Sequence, residues 1–519
     1  MIFAVAVAGK TSPTKDLLRE GDRKSLLLAF VDETLLQSRP CSCSTMIMTM
    51  MDTSSFEITT ALFQEMEESL QDNTRTKPLF MSGTSWMRPT MIRNLGPVDD
   101  TNNCFSLQHQ QQHTRNAAER VIHALGTNTS VHNFILQNAE MDESLSDALA
   151  WSMARNQTLT SITLQKLTLT TATTTLESSE NSRYYKIPSS VFSNMHQLQS
   201  VHLTQVCLDN EACQCLALLI KDSTKLSTLT FDDVHIDHSA LPSLMNALAI
   251  SRSLEKLCFV KMPWGQDALG KLLSSLAANR SIRHLALEHL HLDESYTTIT
   301  SSSSDDSSSS NSLADIIRHN DVMTTLSLRN NQLTATAFRQ LLPALQTNQT
   351  LRTLCLSRNP LGDASVPSIL QLWRRSTLDD LCLVNTQLSA SACTHLAHNL
   401  DSCALVNLRL DGNAMEHVAD QVLQALRHGT NTTLHKILDR IPKRWGPLWK
   451  EVDFYLRANQ AKRRLLLQPN SNNNVSAKLL YPAVLSGTGH QADVLYLFLQ
   501  SSSPSMWSGA GLFIEEEKY

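Results

Sequence analysis

One segment of the sequence has the spacing of a phosphate-binding loop. Gly265 and Gly270 are separated by four residues, and Lys271 follows the second glycine. In such a loop the backbone amides surround the phosphates, and a Ser or Thr after the lysine binds magnesium. Leu272 stands at that position, inside a run of apolar residues with helical spacing. We therefore expect no cofactor, and we see no sign of a small-molecule substrate.

A second segment combines residue types that bind metal ions. His284, Glu288, His289 and His291 lie within eight residues of one another. In an extended chain, His284 and His289 are roughly 15 Å apart at the rise of a strand. Two ligands at that separation cannot share one tetrahedral ion. The sequence therefore predicts solvent-facing histidines here and no metal site.

Three cysteines, Cys258, Cys355 and Cys382, occupy the same place in the repeated pattern described below. On adjacent parallel strands, the backbones of Cys355 and Cys382 would lie about 4.8 Å apart, which suits a disulfide or a shared metal. The alternative is that small polarisable side chains simply suit a crowded surface, because no third and fourth ligands are evident. The sequence also has no C-x-x-C, H-E-x-x-H or G-x-S-x-G motif, and we predict that the protein is not an enzyme.

Composition sets wider limits. The chain has 519 residues, of which 42 % are hydrophobic, so it can bury a core. Its net charge of −5 is too small to indicate nucleic acid as a partner. Eleven cysteines over this length are too sparse for a disulfide scaffold. No stretch of 18 uncharged apolar residues occurs, so we expect no membrane span.

An internal repeat organises most of the chain. From Leu351 the sequence reads L-x-x-L-x-L-x-x-N-x-L, with Leu354, Leu356, Asn359 and Leu361 at the repeated places. Seven of the nine spacings between successive units are 27 or 28 residues, and the other two are one period plus an insertion. The ten units begin at Val131, Leu159, Leu198, Leu226, Leu254, Ile282, Met323, Leu351, Leu378 and Leu405.

Each unit predicts one strand followed by one helix. Positions four and six of the unit alternate like a strand with both side chains in the core. The second half of the unit repeats apolar residues every three or four places, as one face of a helix does. Stacked units then bury a continuous core between a parallel sheet and a helix layer. The repeats predict an α/β solenoid.

Over residues 116–440 the chain resembles a leucine-rich repeat protein of the ribonuclease-inhibitor-like subtype, whose units run about 28 residues and carry full helices. The resemblance implies a horseshoe with the parallel sheet on its concave face and the helices on its convex face. That family usually places Asn or Cys at position nine, where it bonds the backbones of neighbouring loops. Asn331, Asn359 and Asn413 follow this pattern and Thr386 is a partial substitute, whereas the earlier units have apolar residues there.

The repeat also divides the chain. We predict a largely disordered N-terminal region at 1–98, with one candidate helix at 54–72, and a cap or half repeat at 99–130. The array of about ten repeats covers 131–440, with insertions at 177–188 and at the Ser-rich 296–311. A helical C-terminal cap is predicted at 441–500, including a helical hairpin at 478–500, and a tail at 501–519.

Several asparagines stand three residues before a repeat start. Four of them, Asn128, Asn156, Asn348 and Asn431, also form glycosylation sequons. A helix must end at each of these places, and we predict that the asparagines adopt the left-handed conformation of a helix C-cap. This structural role makes the sequons a poor sign of secretion. Since Lys10 follows the apolar N-terminal run instead of preceding it, a signal peptide is not indicated, and we expect a cytoplasmic protein.

The frame also predicts which side chains leave the concave face. A curved, charged surface without a deep cleft suits a protein partner. Arg329, Arg352 and Arg358, on adjacent strands, could clamp carboxylates of such a partner, although they could equally be solvated surface charge. We predict a non-catalytic protein–protein interaction scaffold; the alternative is a regulatory subunit acting on an enzyme, such as a small GTPase, or a ubiquitin ligase adaptor. The predicted partner-binding residues are Lys256, Arg283, Arg329, Asn330, Arg352, Arg358, Asp380, Asn385 and Arg409.

Overall fold

The fold was analysed in a computed structural model. It describes residues 63–72, 79–82, 115–169, 184–193, 195, 197–293, 296–297, 313–375, 377–428, 431–442 and 445–460. The predicted hairpin at 478–500 and the tail at 501–519 lie outside these residues, as does most of the insertion at 296–311. Among the described helices, none is long and apolar enough to cross a membrane.

The described strands form one parallel sheet of eleven, in which every strand lies beside its neighbours in the sequence. The strands are β1 (Leu79–Ser82), β2 (Asn133–Gln137), β3 (Ser161–Gln165), β4 (Ser200–Thr204), β5 (Thr228–Asp232), β6 (Lys256–Val260), β7 (His284–Glu288), β8 (Thr325–Ser327), β9 (Thr353–Cys355), β10 (Asp380–Cys382) and β11 (Asn407–Arg409). Two further pairs of two-residue strands follow the sheet, Glu140–Met141 with Thr168–Leu169 and Cys207–Leu208 with His235–Ile236.

Helices connect the strands and cover one face of the sheet. They are α1 (63–71), α2 (115–127), α3 (Glu143–Arg155), α4 (Ser190–Ser193), α5 (Asn210–Asp222), α6 (Leu241–Ile250), α7 (Gln266–Ala278), α8 (Leu313–His319), α9 (Ala335–Thr347), α10 (Val366–Arg375), α11 (Ala390–His398), α12 (Ala419–His428) and α13 (Pro447–Gln460). Polar caps begin several of them. The side chain of Asp142 accepts from the Leu145 amide at the start of α3, and Asp209 caps α5 in the same way.

The core lies between the two layers and runs the length of the array. In β6, for example, Leu257 and Phe259 are fully buried, whereas Lys256 is exposed and Cys258 and Val260 are half-buried. Phe259 stacks on Phe231 of β5 with ring centroids 5.1 Å apart. This alternation confirms an α/β leucine-rich-repeat-like solenoid, with a parallel sheet lining the concave face and helices on the convex face.

The array begins earlier than the repeat pattern indicates. β1 pairs with β2 so that Leu79 and Met81 stand beside Phe134 and Leu136, at frame positions four and six. The helix α1 packs ahead of α2, and Asn128 donates to the carbonyl oxygen of Leu70 on α1 at 2.7 Å. The described parts of the N-terminal region, 63–72 and 79–82, therefore belong to the solenoid, where the sequence predicted mainly disorder.

The array also continues past its tenth unit. The amides of Leu408 and Leu410 in and after β11 donate to the carbonyl oxygens of Lys436 and Ile437. In α13, the side chain of Asn459 donates to the carbonyl oxygen of Leu434 at 2.8 Å. This helix thus stands in the place of an eleventh repeat helix, at the start of the segment where a cap was predicted.

Two sets of asparagines tie the units together. We call the first the loop ladder: Asn331, Asn359 and Asn413 at position nine. The side chain of Asn359 accepts from the amides of Asn331 and Leu333 and donates to the carbonyl oxygens of Leu328 and Leu356. Each loop-ladder residue therefore bonds its own loop to the preceding one, as the sequence predicted.

The second set, the helix-end ladder, follows the helices: Asn128, Asn156, Asn279, Asn320, Asn348, Asn431 and Asn459. The left-handed conformation predicted here is wrong, because Asn156 has φ −70° and ψ 127° and Asn348 has φ −67° and ψ 131°. Their amide groups are buried and bonded to backbone of the same and the preceding unit. The extended conformation places the side chain between units, where a left-handed cap would not reach.

Candidate functional site

The concave face carries rows of side chains that run across the units. Strand positions three, five and seven point away from the helices, and residues at the same position are register partners on neighbouring strands. The position-five row contains Ile135, Thr163, His202, Thr230, Cys258, Ala286, Ser327, Cys355, Cys382 and Arg409. Its residues are mostly small or polar, so the floor of the concave face is a shallow surface without large apolar side chains.

Position eight, just after each strand, has a left-handed backbone in all ten predicted units. The nine non-glycine residues there have φ between 51° and 59°, and Gly412 has φ 71°. Such a conformation costs of order 1–3 kcal/mol for a long side chain and is maintained only by the surrounding structure. Lys166, Lys261 and Arg358 nevertheless adopt it. The turn thus presents charged side chains along the carboxyl edge of the sheet.

Charged groups of both signs meet at the middle of this carboxyl edge. Glu288, at the end of β7, accepts a hydrogen bond from the Ser327 hydroxyl at 2.6 Å. Beside it, His289 and Asn330 are joined by a hydrogen bond of 2.6 Å between Nδ1 and Nδ2. We call Asp232, Lys261, Glu288, His289, Arg329 and Arg358 the edge cluster.

The pKa values in the edge cluster reflect burial and the neighbouring charges. Burial lowers the pKa of His289, and the cations Lys261, Arg329 and Arg358 act in the same direction. Burial also raises the pKa of Asp232, against the effect of Lys261. His289 is therefore held neutral at pH 7, and as a neutral ring its Nδ1 accepts the hydrogen bond from Asn330.

Two polar atoms of the edge cluster have unused hydrogen-bonding capacity. Arg329 Nε and Asp232 Oδ1 are both buried and have no hydrogen-bond partner among the described residues. Leaving a buried polar atom unpaired costs about 1–3 kcal/mol. A donor and an acceptor of this kind, on one surface, would both be satisfied by a bound polar group.

The predicted binding residues divide between the two edges of the sheet. Four of them, Arg329, Asn330, Arg358 and Asn385, follow their strands and lie at the carboxyl edge. Arg283 and Arg352 precede β7 and β9 and therefore lie at the opposite, amino edge. Because the strands are parallel, six residues separate Arg352 from Arg358, or roughly 15–20 Å. The three arginines predicted to form one clamp are not brought together.

The other predicted residues lie within the strands. Lys256 and Asp380 begin β6 and β10, and Arg409 ends β11. Asp380 is bonded to the side chain of Asn407. Arg409 Nε lies 3.7 Å from Asp439 Oδ1. The guanidinium of Arg352, at the amino edge, donates to the carbonyl oxygen of Thr377 at 2.9 Å. Some of the predicted residues thus have partners within the chain.

Four residues of the edge cluster were absent from the predicted set: Asp232, Lys261, Glu288 and His289. Their frame positions, seven and eight, are the signal that identifies them, because those positions alone reach the carboxyl edge. Of the motifs with metal or nucleotide chemistry, Gly270 and Lys271 lie inside α7, where the backbone amides are not free to surround a phosphate. Among the described residues, no group of three His, Cys, Asp or Glu side chains could hold a metal ion.

Comparisons with known proteins add little. No family model matches the chain. No curated protein matches it. Among solved structures, a TLR13–ssRNA13 complex is similar at 18 % identity over 57 % of this chain, with a TM-score of 0.32, and the chain spans about a third of that protein. The actin-binding site 2 of leiomodin-1 is similar at 14 % identity over 42 % of this chain and 88 % of its own, with a TM-score of 0.22. At these scores, neither similarity supports an inference about function.

Proposed function

We propose that the chain is a non-catalytic interaction scaffold of the ribonuclease-inhibitor-like subtype, which binds a protein partner at the carboxyl edge of its concave face. The observation that carries the proposal is the edge cluster, where Lys261 and Arg358 are exposed and the buried Arg329 Nε and Asp232 Oδ1 have no partner among the described residues. The subtype is supported by the unit length of 27 or 28 residues and by the complete helices, such as α9 with 13 residues.

A protein partner fits the cluster because its charges alternate in sign. Lys261 and Arg358 offer cations, whereas Asp232 and Glu288 offer carboxylates, so that a partner with both kinds of side chain meets complementary groups. A purely anionic ligand would be repelled by the two carboxylates. The guanidinium of Arg358 can in addition bind a carboxylate with two parallel hydrogen bonds.

The test removes the two exposed cations and keeps the backbone. In Lys261→Asn/Arg358→Asn, asparagine occupies a position where the chain already has Asn138, Asn330 and Asn385 with the same left-handed φ. The matched control is Lys166→Asn, which makes the same change at position eight of the second unit. We expect affinity capture from a cell extract, followed by mass spectrometry, to lose a partner with the double variant and to retain it with the control.

Quantitatively, two interfacial cations contribute about 1–3 kcal/mol to binding, which corresponds to at least a tenfold loss of affinity for the purified partner. Thermal unfolding of the double variant should match that of the wild type. Equal capture by wild type, double variant and control would overturn the assignment of the carboxyl edge. If the captured partner is an enzyme, assaying its rate with and without the scaffold distinguishes passive binding from the regulatory alternative.

A further inference from the structure

Cys355 and Cys382 are held side by side on the concave face. They are register partners on the parallel strands β9 and β10, and both are half-buried with side chains that point away from the helices. Neighbouring strands are about 4.8 Å apart, within the range of Cα separations that a disulfide spans. Both cysteines are in the reduced form.

One hydroxyl group links the two thiols. Ser357 Oγ lies 3.4 Å from Cys355 Sγ and 3.0 Å from Cys382 Sγ. Hydrogen bonds from Cys382, Ser357 and Ser327 together favour the ionised form of Cys355 and lower its pKa well below the ordinary value. The same pairing, together with burial, raises the pKa of Cys382. One thiol of the pair is therefore a thiolate at neutral pH and its neighbour remains protonated.

The remaining concave cysteine provides a natural comparison. Cys258 has the same frame position in β6, but its register partners are Thr230 and Ala286, so no second thiol lies beside it. Burial raises the pKa of Cys258. Position five on the concave face does not by itself produce a thiolate; the adjacent thiol and hydroxyl groups do.

We propose that Cys355 and Cys382 form a peroxide-oxidisable dithiol site, in which Cys355 is the attacking thiolate and Cys382 the resolving thiol. The Cys355 thiolate attacks one oxygen of hydrogen peroxide. The O–O bond breaks, a sulfenic acid forms on Cys355, and hydroxide leaves and is protonated to water. Two electrons pass from sulfur to the peroxide oxygens in this step.

The second step closes the disulfide. When Cys355 becomes an uncharged sulfenic acid, the negative charge that kept Cys382 protonated is gone, and Cys382 can lose its proton. Its thiolate attacks the Cys355 sulfur, the S–O bond breaks, the S–S bond forms, and the departing hydroxide takes up a proton to leave as water. Overall, two thiols and one hydrogen peroxide give one disulfide and two waters. This chemistry does not depend on the proposed function.

The test uses the full chain, exposed to hydrogen peroxide at pH 7, alkylated, digested and mapped by mass spectrometry. Cleavage at arginine after Arg352 and Arg358 releases Cys355 in a short peptide. We expect this peptide to be linked to the one that contains Cys382, with a loss of two hydrogens, while Cys258 stays alkylated. A Cys258→Ser variant should give the same product. If Cys258 oxidises as fast as Cys355, or if Cys355 links to another cysteine, the proposal is wrong.

Two variants separate the roles of the thiols. Cys382→Ser should accumulate sulfenic acid on Cys355, which a 1,3-diketone traps, whereas Cys355→Ser should leave Cys382 unmodified. Between pH 8 and pH 6, alkylation of Cys258 should slow about 100-fold, since a thiol of raised pKa loses its thiolate tenfold per pH unit. Alkylation of Cys355 should slow less than tenfold. This last measurement needs only the wild type, and equal slowing of the two cysteines would refute the assignment even if a variant failed to fold.

Discussion

The helix-end ladder can be tested at Asn348, which is 4 % exposed. Its Nδ2 donates to the carbonyl oxygens of Ile317 and Asn320 in the preceding unit, at 2.7 and 3.1 Å. Its Oδ1 accepts from the amides of Thr350 and Leu351, at 2.9 and 2.7 Å. Asn348→Ala removes all four hydrogen bonds. At about 1 kcal/mol for each bond, we expect the free energy of unfolding to fall by about 4 kcal/mol.

The variant Asn348→Ser divides this loss into two parts. The chain shows what a serine does at this place, because Ser223 Oγ accepts from the amides of Lys225 and Leu226 at 3.1 and 3.0 Å. A serine at 348 would therefore retain the two accepted bonds within its own unit. It would lose the two donated bonds to the preceding unit, which are the bonds between repeats. We expect Asn348→Ser to cost about 2 kcal/mol, half the effect of alanine.

The assay is urea unfolding followed by circular dichroism, with amide hydrogen exchange at Leu351 as the local readout. Gln349→Ala is the control, because Gln349 is the exposed neighbour and should change stability by less than about 0.5 kcal/mol. A loss below about 1 kcal/mol for Asn348→Ala would show that the helix-end ladder does not hold the units together. Equal losses for serine and alanine would show that the bonds between units contribute nothing.

Three further predictions concern the same connections between units. Ser251 Oγ is buried without a partner among the described residues, so Ser251→Asn should add donors to the preceding unit and raise the free energy of unfolding in urea by about 1 kcal/mol. A Cβ at Gly412 would lie 1.9 Å from Asn385 Oδ1 on a backbone with φ 71°, so Gly412→Ala should cost at least about 1 kcal/mol in the same assay, and Asn385→Gly should recover part of it. Hydrogen bonds from the Ser389 hydroxyl and amide lower the pKa of Asp363 below its ordinary 3.8. Because the folded-state pKa is the lower one, the stabilisation is present above about pH 4 and is lost as the pH falls through the folded pKa, so the melting temperature should fall less for Asp363→Asn than for wild type between pH 6 and pH 3.

The strands were predictable because burial dictates their residue types. Positions one, four and six face the core in every unit, and an apolar residue must occupy each, so their spacing locates β2 to β11. β1 escaped the same reasoning for a physical reason. Leu79 and Met81 fill positions four and six, but Thr76 stands at position one, and 55 residues separate this start from Val131. The pattern is hidden by one polar residue and a long insertion before the helix α2.

The left-handed turn at position eight had no such sequence signal. Its residues include Asn138, Lys166, Gln205, His289 and Arg358, which share neither size nor polarity. The backbone there is set by the neighbours: the amide at position eight of one unit donates to a carbonyl oxygen after the next strand, as Asp233 does to Val260. Because the parallel array imposes this bond, the conformation does not depend on the side chain, and sequence cannot reveal it.

The parallel array also decides which charged residues can contact one partner. Residues in neighbouring units are close only if they share a frame position, and for this reason Arg358 lies with Arg329 at the carboxyl edge and far from Arg352. Lys261 follows β6 and Arg358 follows β9, three strand spacings apart, or about 14 Å at 4.8 Å per strand. An extended peptide rises about 3.3 Å per residue, so four or five residues lying across the strands would reach from one cation to the other. A partner segment with acidic residues at that separation is therefore the simplest binding partner for the edge cluster, and a synthetic peptide series with varied spacing would find a maximum in affinity there.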